Sequence, residues 1–313
     1  MQWCMSTRDH LGHQLPRRTP AHALALAAIS LCLFASACTI PTKHARTTPT
    51  NSSPAPTTTV TTNPKTSPNR TSTPVTASLQ TDFAQLTQTA GGRIGLAIAP
   101  VGRGEAPTVL GDWTNGVAWS TSKVPLAIAA LRSPQAAALA ASVTLAITQS
   151  DNSAADALWQ SLGDPATAAR KVEAVLHEGG DDTTTVQSRV VRPGFSAIGQ
   201  TIWSLDHQAR FASALPCIPG SGPVLEEMQN ISAGQQWGLG AIPGASFKGG
   251  WGPGPPNGYL VRQFGVIDTP DGQAAIAIAT EPSSGTLEAG TQILNRVAKL
   301  IQKHLTELPG GSC

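Results

Sequence analysis

Past residue 90 the apolar positions fall into two kinds of run. Residues 92–100 are a short apolar stretch closed by glycine and proline, which reads as a buried strand, and 107–113 reads as a second strand after a turn at 102–105. From Ser120 the spacing turns helical. Val124, Leu126, Ala127, Ile128, Ala130 and Leu131 are apolar on nearly every side, so this helix is expected to be central and buried. Pro125 removes a first-turn hydrogen bond and is expected to displace the helix start. An alanine-rich helix is predicted at 134–149. Ser153 with Asp156 fits a capping box, which predicts a new helix from there to 161, and another is expected over 165–177, ended by Gly179 and Gly180. Residues 181–195 read as loop, 201–215 as an amphipathic helix, 217–222 as loop and 224–231 as a short helix. The period then changes again. Residues 245–250, 258–267 and 273–280 read as strands, the last two joined antiparallel through Asp271-Gly272, a tight hairpin signal. A final helix is expected over 287–305, with Ile293, Leu294, Val297, Leu300 and Ile301 on one face.

Strands at both ends and helices between predict an α/β (α+β) fold. Its sheet is mostly antiparallel, assembled from both ends of the domain and flanked by helices, with a helical insertion packed on it. That domain is expected to span 82–313.

The residues before it have a different character. Residues 1–20 carry Arg8, Arg17 and Arg18 against the single acid Asp9, and 21–37 is an almost uninterrupted apolar run, the layout of a signal peptide. At 17 residues that run is short for a membrane-spanning helix. Phe34-Ala35-Ser36-Ala37-Cys38 resembles the acylation box of bacterial lipoproteins, which implies lipidation of Cys38, cleavage before it, and anchoring to the lipid bilayer on the extracytoplasmic face of the cell membrane. Ala35 stands where leucine is usual, so an ordinary signal peptide is the alternative. Residues 38–81, rich in threonine, proline and serine with little to bury, are expected to form a disordered tether.

The first 81 residues hold seven of the 21 lysines and arginines and one of the 19 acids, leaving 14 basic and 18 acidic residues in the domain. A mildly acidic domain argues against nucleic acid as a partner, since phosphate binding needs a basic face. Of five cysteines only Cys217 and Cys313 fall within it, and in an exported domain two cysteines suggest one disulfide, with free thiols the alternative. Neither cysteines nor histidines show metal-ligand spacing, so no metal and no cofactor is expected.

Candidate chemistry concentrates where the buried helix begins. Ser120 and Lys123, three residues apart, share a helix face, so hydroxyl and amine can meet. A helix N-terminus disfavours charge on the lysine and stabilises negative charge growing on the serine oxygen, which makes a weak alcohol nucleophilic. Ser150-Asp151-Asn152 lies in a turn between two expected helices, and Lys248-Gly249-Gly250 on an expected strand.

In this order and these settings, the three motifs resemble those of class A β-lactamases and penicillin-binding proteins, over most of residues 85–305. The whole chain also resembles alanine-rich envelope lipoproteins of mycobacteria. The family resemblance implies that Ser120 is the acylated nucleophile and Lys123 its base or proton shuttle. Ser150 would relay protons, Asn152 hold the substrate amide, and Lys248, Gly250 and Trp251 bind substrate along the strand. The oxyanion hole would be the backbone N–H groups of Ser120 and Trp251. Three departures bear on activity. Thirty residues from Ser120 to Ser150 imply a shortened helical subdomain. Gly249 replaces the hydroxyl residue that would bind a substrate carboxylate. Between Glu178 and Glu226 there is no glutamate to activate a deacylating water, only Asp181 and Asp182. The expectation is therefore an exported lipoprotein with a serine acyl-enzyme site for cell-wall peptide, amide or ester, poor at β-lactam hydrolysis. A non-catalytic binding protein is the alternative.

Overall fold

The computed structural model describes residues 76–102, 104–254 and 258–313. Cys38, the expected leader and nearly all of the expected tether lie outside them. The chain forms α1 (Ala77–Thr89), β1 (Gly92–Pro100), β2 (Thr108–Gly111), β3 (Asn115–Val117), α2 (Lys123–Leu131), α3 (Ala136–Thr148), α4 (Asn152–Ser161), α5 (Pro165–Glu178), β4 (Ile202–Ser204), α6 (Leu205–Ala214), α7 (Gly222–Gln229), β5 (Ser246–Pro253), β6 (Tyr259–Thr269), β7 (Gly272–Pro282) and α8 (Leu287–Lys303).

Five strands make one antiparallel sheet in the order β2-β1-β7-β6-β5, so first and last parts of the domain meet at β1 and β7 as the strand pattern predicts. The fold is mixed α/β. α1 and α8 pack together on one face, and α6 lies across β1, β6 and β7 on the other. α2 is surrounded by α3, α4, α5 and α7, and its residues Lys123 to Ala130 are all buried, which accounts for an apolar run with no polar face. α2 begins at Lys123 rather than Ser120, a displaced start as expected, and Pro125 falls in its first turn, where a missing N–H costs nothing.

Four local expectations are corrected. Ala77 to Thr81, assigned to the tether, are the opening of α1, capped by the Thr76 side chain and burying Leu79 and Phe83. The serine-lysine stretch is not one helix from Ser120, because Trp119–Ser122 is a separate 3-10 turn preceding α2. The cap of α4 is Asp151, whose Oδ1 accepts from the Ala154 N–H at 2.7 Å, rather than Ser153 paired with Asp156. The segment 201–215 is not wholly helical, since Ile202–Ser204 pairs with β3 before α6 begins.

Cys217 and Cys313 are disulfide-bonded with Cα atoms 5.3 Å apart, which ties the loop after α6 to the C-terminus. Closing a loop of sequence separation 96 restricts the unfolded chain. Replacing both cysteines by serine is expected to lower unfolding free energy by about 2–4 kcal/mol, measured by urea denaturation.

Candidate active site

The first two motifs open on one cleft of about 860 Å³, a size suited to a small substrate, while Lys248 and Gly250 of the third lie behind its surface and only the following Trp251 lines it. Ser120, Lys123, Ser150, Asn152 and Trp251 line it. Its other walls include the rings of Trp119, Trp159, Phe195 and Tyr259 together with Ser122, Ser188 and Ser196, so aromatic and hydroxyl side chains share the surface.

Ser120 is carried on the 3-10 turn, where Trp119 adopts φ +50. A left-handed conformation at a bulky residue is strained, and Trp119 is held by packing against Phe195, ring centroids 4.9 Å apart. The turn lies directly against β5. A β-carbon at Gly250 would stand 2.9 Å from both the Ser120 amide nitrogen and the Ala118 carbonyl oxygen, and one at Gly252 would meet the Trp119 ring at 2.7 Å. Only hydrogen fits at these two positions.

β5 is the last strand of the sheet. Its Gly249 carbonyl accepts from Lys248 Nζ at 3.0 Å, so the main-chain groups of Gly249 point to the free edge. By strand alternation those of Trp251 point the same way, towards the Ser120 turn. The Trp251 side chain walls the cleft and meets Trp237 edge-on, ring centroids 5.9 Å apart. A β-carbon at Gly249 would come 3.2 Å from the Trp237 ring, so an indole stands where a side chain at 249 would project.

Lys123 is only 3% exposed. Its Nζ donates to the Ser150 carbonyl at 2.5 Å and to Asn152 Oδ1 at 2.8 Å, with Ser150 Oγ at 3.5 Å. Burial lowers its pKa to about 8, against an opposing pull from Asp151 and Asp156. A neutral amine has two N–H donors and one lone pair, and the two carbonyl oxygens occupy both donors. Lys123 is thus arranged to present a lone pair. Among the described residues Ser120 Oγ makes no hydrogen bond, so the serine and lysine share the cleft without a direct bond between them.

Lys248 is fully buried, and its Nζ donates to Ser150 Oγ at 3.0 Å. Burial, with repulsion from Lys123, holds its pKa well below the ordinary lysine range. Ser150, itself at φ +57, therefore sets its hydroxyl between the two amines.

Asp181, one of two aspartates singled out near the expected deacylation position, faces inward. It accepts from Trp203 Nε1 at 2.8 Å and from the Thr184 N–H at 3.1 Å, and lies 3.1 Å from His207 Nδ1. Neither Asp181 nor Asp182 lines the cleft.

Two parts of the site were missed in the sequence. Arg262, opposite Gly250 on β6 and fully buried, donates through Nη1 to the carbonyls of Gly116, Val117 and Trp203 at 3.0–3.2 Å. Its Nη2 donates to Gln208 Oε1 at 2.7 Å, and Gln208 Nε2 donates to Thr121 Oγ1 at 2.9 Å, so the guanidinium braces the turn beside the serine. A lone arginine in an apolar strand carries no motif that reveals this. The other is Asp156, a cleft-lining carboxylate one helical turn after Asn152.

The sequence matches no protein-family model and no characterised protein. Among solved structures the fold is similar to TLA-3 extended-spectrum β-lactamase, with TM-score 0.59, 16% identity, and 73% of this chain and 98% of that chain covered. A β-lactamase from Chitinophaga pinensis (0.58, 18%, 72% and 98%) and the class A β-lactamase from Mycobacterium abscessus (0.55, 18%, 72% and 98%) are similar too. At such identity these likenesses establish the serine β-lactamase fold.

Two outcomes follow from this geometry. Lys123 is expected to titrate near pH 8, read as a shift of its Cε resonance by NMR that disappears in Lys123→Met. Arg262→Leu would remove the donor from three carbonyls, that of Trp203 buried and those of Gly116 and Val117 partly so, and is expected to cost about 3 kcal/mol in chemical denaturation, with Arg262→Lys rescuing little because one ammonium cannot span them.

Proposed function

We propose that this chain is an exported, lipid-anchored protein whose domain performs serine acyl transfer or hydrolysis on a cell-wall-derived peptide, amide or ester. The observation that carries the reading is the pair of buried lysines sharing the Ser150 hydroxyl in the cleft that Ser120 enters. In the forward step Ser120 Oγ attacks the substrate carbonyl carbon while its proton passes to Lys123. The oxyanion that forms faces the N–H groups of Ser120 and Trp251, each such donor contributing about 3 kcal/mol to the transition state. As the leaving group departs, Ser150 hands it the proton from Lys123, with Lys248 supplying positive potential and Asn152 orienting the substrate amide.

The aromatic lining favours an apolar acyl portion. A carboxylate anchor of the β-lactam kind is poorly served, because position 249 has no hydroxyl and Lys248 already spends its ammonium on Ser150 and Gly249. Acylation of Cys38 would hold the domain at the outer face of the membrane, a reading supported by the residues before that cysteine.

A second reading, a binding protein for wall peptide or a protein partner, is favoured by the absence of a Ser120–Lys123 bond among the described residues. A fluorophosphonate probe followed by intact-mass measurement separates the two. The enzyme reading expects one adduct per chain, absent in Ser120→Ala, and no adduct with either a fluorophosphonate or an activated ester supports the binding protein. The amine is protonated below its pKa of about 8, so acylation is expected to climb with pH and level off above about 8. Nitrocefin turnover is expected to be negligible.

A further inference from the structure

Release of an acyl group from Ser120 requires a base that can take a proton from water, and both residues at the expected place face elsewhere. The cleft supplies a different carboxylate. Asp156 is the one acidic side chain among its described lining residues. It lies on α4 four residues after Asn152, so the two share a helix face, and Asn152 Oδ1 is the acceptor that Lys123 Nζ reaches at 2.8 Å. Asp156 is close enough to Lys123 to oppose the loss of its proton. It is exposed, and among the described residues it makes no hydrogen bond or ion pair, so its oxygens are free to hold a water. Its neighbours Asp151 and Asp181 differ in this respect, one being a helix cap and the other bonded to Trp203.

We infer that Asp156 is the general base that frees the acyl group, an inference that rests on the acyl-enzyme reading above. The Asp156 carboxylate takes one proton from a water in the cleft, and the water oxygen bonds to the ester carbonyl carbon. The tetrahedral intermediate collapses with cleavage of the bond from carbon to Ser120 Oγ. Asp156 returns its proton to that oxygen through Lys123, and the product leaves as a carboxylic acid that retains the second water proton. Serine, lysine and aspartate end in their starting states.

The test is p-nitrophenyl butyrate hydrolysis by the full domain, with the nitrophenolate burst, the steady-state rate and the intact mass recorded together. Wild type is expected to give a burst near one equivalent and then turn over. Asp156→Asn is expected to keep the burst, lose at least about 100-fold in the steady state and accumulate the butyryl adduct, with Asp156→Glu recovering part of the rate. An adduct lifetime in Asp156→Asn equal to that of wild type would overturn the assignment. So would a burst and steady state slowed equally, which would mark Asp156 as acting only through Lys123, or a wild-type adduct that never clears. If wild type shows no burst and no adduct, or Ser120→Ala behaves as wild type, the acyl-enzyme reading itself fails and takes this one with it.

Discussion

The contact on which this architecture depends is the closeness of the Trp119–Ser122 turn to β5. Gly250 and Gly252 lie on one side of that strand and present it as bare backbone, so the turn settles against it with the Ser120 amide beside the Gly250 α-carbon. Holding Trp119 left-handed costs about 1–3 kcal/mol. Burying an indole that is only 5% exposed returns more, since roughly 150–250 Å² removed from water is worth several kcal/mol. The strain is thereby held in place, and Ser120 and Trp251, from distant parts of the chain, come to line one cleft.

Behind the turn the protein buries three cationic side chains, Lys123, Lys248 and Arg262, and treats them differently. A guanidinium keeps its proton in a protein, so Arg262 is tolerated only by satisfying its donors, which three carbonyls and Gln208 do while its carbon lies 5.2 Å from the Trp113 ring centroid. A lysine can answer burial by giving its proton away. Both lysines have lowered pKa values for this reason, and both meet the Ser150 hydroxyl. The same desolvation that leaves arginine a brace pushes lysine towards its neutral form.

Much of this was legible beforehand because it rests on local pattern. The sheet assembled from both chain ends followed from apolar runs punctuated by glycine and proline, the β6–β7 hairpin from Asp271-Gly272, and the disulfide from the two cysteines within the domain. The convergence of Ser120, Lys123, Ser150, Asn152 and Trp251 was legible as a resemblance of three motifs in order. What the pattern concealed depended on long-range partners. α1 is polar along most of its length and is fixed by Leu79 and Phe83 in the core and by Asp82, whose carboxylate receives His304 Nε2 at 2.9 Å from the far end of the chain. The capping box read at Ser153 gave way to Asp151, two residues earlier, whose carboxylate accepts from the Ala154 N–H. Asp181 looked available because sequence alone does not tell which way a loop carboxylate faces.

Fold likeness and site chemistry separate at β5. Ser120, Lys123 and Ser150 gather beside the edge strand, where Trp237 stands against Gly249 and the rings of Trp119, Trp159, Phe195, Trp251 and Tyr259 line part of the cleft. These rings lie at the mouth of a site whose interior holds two lysines that burial drives towards their neutral form. Lys123 is deeply buried and Ser120 partly so, while Asp156, which lines the same cleft, is exposed to water. One cleft thus holds an amine withdrawn from water and a carboxylate open to it, so desolvation acts on the first and leaves the second hydrated.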